Sequence, residues 1–200
     1  GKKLKLGSQL VIGEGKKQVL KIEHIEYVIS RKTGIKGIAS ANDRLRLTLQ
    51  LEDRVNRKVI GQEQAIRKVS AAIKRSFAGL GREGRPAAGF VFAGQSGVGK
   101  TMLAKTIASE LFSSDGSLIR LDMSEFSDRM SVTKLCGSAP GYIGFEQGGQ
   151  LTERVRKCPY SVILFDELEK AHREVWSILL QILEEGELTD SQGRRVSFKN

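Results

Sequence analysis

Residues 94–101 form the first group whose types and spacing could do chemistry. They read Gly-Gln-Ser-Gly-Val-Gly-Lys-Thr and fit G-x-x-x-x-G-K-[ST] at every fixed position. The glycines permit backbone angles that other residues avoid, so the loop can turn its N–H groups toward an anion. The lysine could then reach the β- and γ-phosphates of a nucleotide, and the threonine hydroxyl could ligate Mg²⁺. The alternative is a glycine-rich turn that binds nothing. The candidate phosphate-binding residues are Gly94, Gln95, Ser96, Gly97, Val98, Gly99, Lys100 and Thr101.

Two acidic residues, Asp166 and Glu167, form the second group. They follow four apolar residues, 162–165, that read as a strand buried on both faces. The first carboxylate could hold Mg²⁺ opposite Thr101, either as a direct ligand or through another ligand of the metal, and the second could polarise a water for attack on the γ-phosphate. Asp166 is therefore a candidate metal ligand, and Glu167 and Lys100 are candidate catalytic residues. The alternative is a strand that ends in acids because a helix begins there, where negative charge is favoured.

The third feature is an aromatic residue held between glycines, in Gly141-Tyr142-Ile143-Gly144. The flanking glycines loosen the backbone, which suits an exposed loop that grips another molecule better than it suits a packed core. The alternative is a tight turn in which Tyr142 packs inward. We interpret the stretch as a binding loop.

Strand and helix patterns alternate around these residues. Strands are predicted at residues 90–93, just before the glycine loop, at 118–122 and at 162–165. Helices are predicted with Ile66, Val69, Ile73 and Phe77 on one stripe, over residues 100–112, around 127–135, from Gln150 onward, and through Val175, Leu179 and Ile182 to Gly186. Residues 188–198 read as a hairpin. This alternation predicts an α/β fold, a parallel sheet with helices on both faces and ligands at the carboxyl ends of its strands.

Residues 1–50 read differently from the rest. A short strand is predicted at 19–22 and a helix at 23–32, ended by Thr33-Gly34. From Asn42 towards Val55 the leucines recur every second residue, which leaves helix and strand both open. We divide the chain into a partly helical N-terminal arm or linker, residues 1–50, and a nucleotide-binding part, residues 51–200.

Composition and charge restrict the classes of function. The 200 residues are 40% hydrophobic and 28% charged, and the net charge of +10 lies mostly in the arm. Aromatic residues are scarce there, so a solvated basic face is favoured over a nucleic-acid surface. No membrane span is predicted, because no apolar run approaches the length of one. Cys136 and Cys158 are too few for a zinc site and favour a reducing compartment. The chain has no initiator Met, and we expect it to begin inside a longer protein.

Residues 59–200 resemble the large subdomain of the second AAA+ module of Clp-type unfoldases, most closely those of the ClpC/ClpB group. The arm resembles the join from a preceding ATPase module. The segments that carry the resemblance are residues 59–62, 94–101, 120–125, 141–144, 148–153, 165–172 and 188–194.

The resemblance implies an AAA+ P-loop NTPase that uses ATP and Mg²⁺. Val59 and Ile60 would line the adenine pocket, and Tyr142 would be the pore-loop aromatic that pulls polypeptide through a hexameric ring. The partners would be polypeptide substrates, neighbouring subunits and, in proteolytic members, a ClpP-type protease. Bacterial cytoplasm and plastid stroma both fit. The chain would stop before the sensor strand, the arginine finger and the lid, so we expect these residues alone to hydrolyse ATP weakly.

Three functions compete at this point. The first is the ATP-binding part of a ring-forming, ATP-dependent protein unfoldase or chaperone. The second is a truncated nucleotide-binding or scaffolding module with little turnover of its own. The third is a nucleic-acid motor of the same sheet class, which only the basic arm suggests. The aromatic loop at Tyr142 favours the first.

Overall fold

A computed structural model gives the architecture, and it describes residues 28, 48–112, 117–138, 141 and 148–199. The predicted strand at 19–22 and Tyr142, Ile143 and Gly144 of the predicted binding loop lie outside the described residues. So does the predicted helix at 23–32, except for Val28, which is helical. The segment from Asn42 towards Val55, for which helix and strand were both open, is helical in its described part. Thr48 and Leu49 are helical, and a further helix begins at Leu51.

The described elements follow one another in the alternation that the sequence predicts. The α-helices are α1 (Leu51–Asn56), α2 (Glu63–Arg75), α3 (Lys100–Leu111), α4 (Arg129–Cys136), α5 (Gln150–Lys157) and α6 (Arg173–Glu185). The strands are β1 (Leu118–Asp122), β2 (Val162–Asp166), β3 (Glu187–Thr189) and β4 (Arg195–Ser197). Short 3₁₀ turns occupy Met123–Phe126 and Leu168–Lys170, and a π-type turn follows α2 at Ser76–Leu80. None of the helices described here is long and apolar enough to cross a bilayer.

Local chemistry accounts for several of these boundaries. The α4 helix begins at Arg129, slightly later than predicted, because the Asp128 carboxylate accepts a hydrogen bond from the backbone N–H of Ser131 at 2.9 Å and so caps it. The α6 helix ends at Glu185 because the next residue, Gly186, has a φ of 64°, in the left-handed region that glycine favours. His172 caps the start of α6 by accepting the Glu174 N–H at Nδ1, which is a structural role.

The parallel sheet predicted from the alternation is confirmed by the pairing of β1 with β2. Leu118 lies opposite Val162 and Asp122 lies opposite Asp166, so both strands end in a carboxylate at the same edge. In the described residues, β3 and β4 form a separate antiparallel hairpin, as predicted for residues 188–198.

Helices cover both faces of the β1–β2 pair. On one face Ile119, Leu121, Ile163 and Phe165 pack into a core with α4, α5, α6 and the hairpin. Val162 packs instead against a second core made by α1, α2 and α3. Successive side chains of a strand point to opposite faces of the sheet, so Val162 lies on the face opposite that of Ile163 and Phe165. The sequence-based expectation of an α/β sandwich is therefore confirmed.

The strand predicted at residues 90–93 is wrong. The Phe90 and Phe92 rings stack at 6.3 Å, but the segment joins no ladder in the described part of the chain. Val91 is 83% exposed. A strand needs a neighbour to take its backbone hydrogen bonds, and apolar β-branched and aromatic residues alone do not supply one.

The β3–β4 hairpin is closed by a buried carboxylate, Asp190. Its Oδ1 accepts the N–H groups of Gln192 and Arg194 at 2.9 Å, and its Oδ2 accepts Arg194 Nε at 2.6 Å. Burial by itself raises the pKa of Asp190, but these hydrogen bonds and the Arg194 charge outweigh it, so the pKa lies below the usual value. The ionised form of Asp190 therefore stabilises the fold.

Asp190→Asn is expected to lower the free energy of unfolding at pH 7 by roughly 1–3 kcal/mol, because a charge-assisted network is weakened. A lowered folded-state pKa contributes stability that is present above the unfolded value and is lost as pH falls through the folded one. The difference between wild type and variant should thus stay constant above about pH 5 and shrink below about pH 4. Urea unfolding at several pH values measures it. The exposed Glu184→Gln is the control, and a difference that persists undiminished to pH 3 would contradict the prediction.

The two cysteines are free thiols, as expected from the sequence. Burial and the nearby Asp190 carboxylate raise the pKa of Cys136 to about 11. At neutral pH this thiol stays protonated and therefore unreactive.

Candidate nucleotide-binding site

The glycine loop adopts the backbone that a phosphate cradle needs. Gly97 and Gly99 have φ values of 82° and 96°, in a region that side-chain-bearing residues rarely adopt. Gly99 lies immediately before α3, so the loop leads directly into a helix N-terminus with its free N–H groups. Residues 94–98 are exposed, which leaves the loop open to a ligand.

Lys100, the first residue of α3, folds back over this loop. Its Nζ donates to the carbonyl oxygens of Gly94 and Gln95, each at 2.7 Å. The ammonium thus lies inside the curve of the loop, where a phosphate group would lie. A second contact braces the loop from outside, because Gln62 Nε2 donates to the carbonyl of Val98 at 3.1 Å.

The packing of α3 directs Lys100 toward the acidic pair. The helix contacts both β1 and β2. Phe112, the residue after α3, packs against Val162, the first residue of β2. Since the end of the helix meets the start of the strand, the start of the helix is directed toward the end of the strand. The N-terminus of α3, where Lys100 and Thr101 lie, is therefore the end of the helix nearer the sheet edge that bears Asp166.

Asp166 is held by an arginine on the neighbouring strand. Arg120 of β1 contacts Asp166 Oδ2 through Nε at 3.1 Å and through Nη2 at 2.8 Å. Arg120 alternates with Ile119 and Leu121, so it lies on the sheet face opposite their core, and α3 packs on that same face. A cation thus already neutralises the carboxylate that the sequence predicts to be a metal ligand.

Glu167 has an unusual backbone. With φ 55° and ψ 43° it is the one non-glycine residue at positive φ among those described. Such a conformation costs about 1–3 kcal/mol and is concentrated at functional sites. The Glu167 carboxylate pairs with Lys170 one turn later, and this hydrogen bond raises the pKa of Lys170. Both acids therefore have a basic partner in this state.

The predicted adenine-pocket pair divides between core and surface. Val59 is buried in the core formed by α1, α2 and α3, whereas Ile60 is 88% exposed. Ile60 is thus the one of the two with a side chain open to a ligand. The stretch containing them lies beside the loop, since Gln62 bonds Val98.

Oxygen donors suited to Mg²⁺ are present. The Thr101 hydroxyl and the Asp166 carboxylate are hard ligands of the kind that Mg²⁺ takes, and Arg120 is the present partner of Asp166. Among the described residues no cluster of three metal-ligating side chains occurs. These residues therefore fit a metal whose remaining ligands come from nucleotide phosphates and water, as those of Mg²⁺ commonly do.

Three contacts of the site were missed from the sequence. Gln62, Arg120 and Lys170 received no role, although all three lie in the segments that carry the resemblance. Their partners are distant in sequence or depend on a strained turn. A hydrophobic or glycine pattern gives no signal for such pairs.

A comparison with protein-family models decides the family. Residues 85–200 match the model described as the AAA domain (Cdc48 subfamily). This chain belongs to the AAA domain family. The match includes the glycine loop, both strands of the parallel pair and the hairpin, so the α/β P-loop fold predicted from the sequence is confirmed for this AAA domain.

Relatives place the AAA domain within the Clp group. It is 52% identical over 181 residues to the chaperone protein ClpB of Gloeobacter violaceus, an alignment that covers 89% of this chain and 20% of the relative. It is 51% identical over 179 residues to the ATP-dependent Clp protease ATP-binding subunit ClpE of Bacillus subtilis, covering 89% and 26%. The chloroplastic chaperone protein ClpC of Pisum sativum is 52% identical over 179 residues, covering 88% and 19%. The chain thus spans about a fifth to a quarter of these relatives, and the resemblance to Clp-type AAA+ proteins is confirmed.

Proposed function

We propose that this AAA domain is the ATP-binding part of a ring-forming, ATP-dependent protein unfoldase. The observation that carries the proposal is the packing of α3, whose C-terminal end meets the start of β2. This packing supports a site in which the glycine loop at the helix N-terminus lies toward the sheet edge that bears Asp166 and Glu167. We also propose that residues 1–50 are an arm or linker and that residues 51–200 form the nucleotide-binding part.

The residues of the chain divide the work of binding. The loop N–H groups and the α3 N-terminus bind the phosphates, and Lys100 exchanges its two carbonyl partners for phosphate oxygens. Thr101 and Asp166 would hold Mg²⁺, which neutralises charge on the β- and γ-phosphates when it is bound. For Asp166 to hold the metal, Arg120 would have to release that carboxylate. Val59 and Ile60 lie at the adenine end.

Glu167 supplies the proton chemistry. Released from Lys170, its carboxylate accepts a proton from the water that attacks the γ-phosphate and orients that water. Its exposed side chain and left-handed backbone support this role, because the side chain is free of the core packing that fixes its neighbours in β2. The reaction is otherwise a matter of positioning and electrostatics.

The printed names of the relatives support the wider assignment. They are chaperones and an ATP-binding subunit of a Clp protease. We propose polypeptide substrates, neighbouring subunits of a hexamer and a ClpP-type protease as partners, in bacterial cytoplasm or plastid stroma. A nucleic-acid partner is disfavoured, since the basic arm offers few aromatic side chains for stacking.

The pairing of every charged site residue favours a second candidate, a nucleotide-binding or scaffolding module with little turnover. Lys100 bonds loop carbonyls, Asp166 bonds Arg120 and Glu167 bonds Lys170. A site satisfied in this way is stable without ATP. The two candidates differ in whether bound nucleotide is hydrolysed and whether that hydrolysis moves a polypeptide.

Tyr142→Ala separates them when substrate unfolding is measured in the full-length protein. Under the unfoldase proposal the variant keeps ATP turnover within about twofold, because Tyr142 is given no role in binding the phosphates, and loses unfolding by tenfold or more, because the aromatic grip is gone. Unfolding of a tagged substrate and phosphate release are measured together.

Tyr142→Phe is the matched control, since it retains the ring. Wild-type unfolding by the alanine variant would remove the pore-loop assignment. Nucleotide binding without turnover in the unmodified protein would favour the scaffolding module.

A further inference from the structure

The two ends of segment 138–148, which contains Tyr142, meet at a tight glycine junction. Gly137 follows α4 and Gly149 precedes α5. A Cβ on Gly137 would lie 3.2 Å from the Gly149 backbone nitrogen, and a Cβ on Gly149 would clash with the carbonyl oxygen of Leu135. Both positions therefore require glycine, and the segment leaves from and returns to one point of the fold.

The tip of the β3–β4 hairpin is attached to that point. Ser191 in the hairpin turn donates its backbone N–H to the carbonyl of Cys136, the last residue of α4, at 3.1 Å. The Ser191 hydroxyl fills the space that a side chain on Gly137 would need. The turn thus lies directly against the departing end of the segment.

Arg194 links the same turn to the returning end. It bonds Asp190 Oδ2 through Nε at 2.6 Å and pairs through Nη2 with Glu153 in the first turn of α5. Glu153 packs under Gly148, where a Cβ would lie 2.7 Å from its Cγ, and is also held by Arg156 at 2.8 Å. The pKa of Glu153 is lowered by hydrogen bonds from Arg156 and Arg194, consistent with an ionised bridge.

We propose that Arg194 is a positioning residue that fixes the base of segment 138–148 to the β3–β4 hairpin. The inference rests on the proposed function, in which this segment grips polypeptide. The hairpin continues from α6, and α6 follows the 3₁₀ turn that begins just after Glu167. The Arg194 bridge therefore connects Glu153 and Gly148, at the returning end of the segment, to the hairpin that follows α6. Without the bridge, ATP hydrolysis continues, but less of it is converted into unfolding of the polypeptide substrate.

Arg194→Met in the full-length protein tests this, with Arg194→Lys and Arg195→Met beside it. Methionine preserves the length of the stem and removes both charged bonds. Arg195 is the matched control, because it is the neighbouring arginine and its side chain is 78% exposed. Among the described residues, its ion-pair partner is Glu187, at 3.4 Å. For Arg194→Met we expect ATP turnover within about twofold of wild type and about tenfold more ATP consumed per substrate unfolded. The lysine variant should recover part of this loss and the control should match wild type.

Hydrogen exchange at the Ser191 and Gly137 amides provides a second readout that needs no substrate. We expect it to accelerate about tenfold in Arg194→Met and to stay unchanged in Arg195→Met. Faster exchange together with normal unfolding by Tyr142→Ala would support the bridge and remove the proposed function. Loss of unfolding by Tyr142→Ala, with wild-type exchange and wild-type ATP cost in Arg194→Met, would overturn this inference alone. An equal rise in ATP cost in Arg195→Met would also overturn it.

Discussion

Lys100→Ala is expected to weaken ATP binding by about 10- to 150-fold, which corresponds to the roughly 1.5–3 kcal/mol of a hydrogen bond to a charged group. The Lys100 ammonium already lies in the curve of the glycine loop, held at 2.7 Å from two carbonyl oxygens. Lys100 is the only lysine at the start of the helix that follows the loop, so no neighbouring lysine there could replace it at the phosphates. Calorimetric titration of the full-length protein with a slowly hydrolysed ATP analogue measures the effect.

Lys105→Ala is the control for that experiment. Lys105 lies on the same helix but is exposed and more than one turn from the loop. Its loss should leave the affinity unchanged. If Lys100→Ala bound the analogue as tightly as wild type, the glycine loop would not be the phosphate site, and the proposed function would lose its main support.

Glu167→Gln is expected to bind ATP as wild type does and to reduce turnover by about 100-fold or more, the usual contribution of a positioned general base. Glutamine keeps the shape of the side chain but cannot accept a proton. Because the two side chains have the same stem, we expect the variant to keep the left-handed backbone at position 167 and the direction of the side chain. Single-turnover phosphate release, with nucleotide binding measured alongside, separates the two effects.

Glu169→Gln in the same 3₁₀ turn is the matched control, because it removes a neighbouring exposed carboxylate without touching the end of β2. We expect its turnover to be unaffected. Turnover at the wild-type rate in Glu167→Gln would mean that another residue is the general base. Asp166 would then be the only acid of the proposed pair with a role at the nucleotide.

The sequence predicted the parts of the site that depend on local chemistry. A glycine loop signals itself because Gly97 and Gly99 need angles that other residues avoid. The strands at 118–122 and 162–165 and the helix after the loop follow from periodicity, which neighbouring residues carry. Asp166 and Glu167 could be placed at a strand end for the same reason.

The tertiary structure decided what depends on partners far away in the chain. Residues 90–93 have strand-forming side chains, yet no described strand pairs with them, because a ladder is a property of two segments. The partners of Asp166 and Glu153, Arg120 and Arg194, are 46 and 41 residues away in sequence, and no local pattern records such distances. The sequence alone therefore predicted which residues could hold a nucleotide. Only the folded chain determined that Arg120 and Lys170 pair with Asp166 and Glu167. It also determined that the hairpin contacts the ends of α4 and α5, since both arrangements require groups brought together by packing.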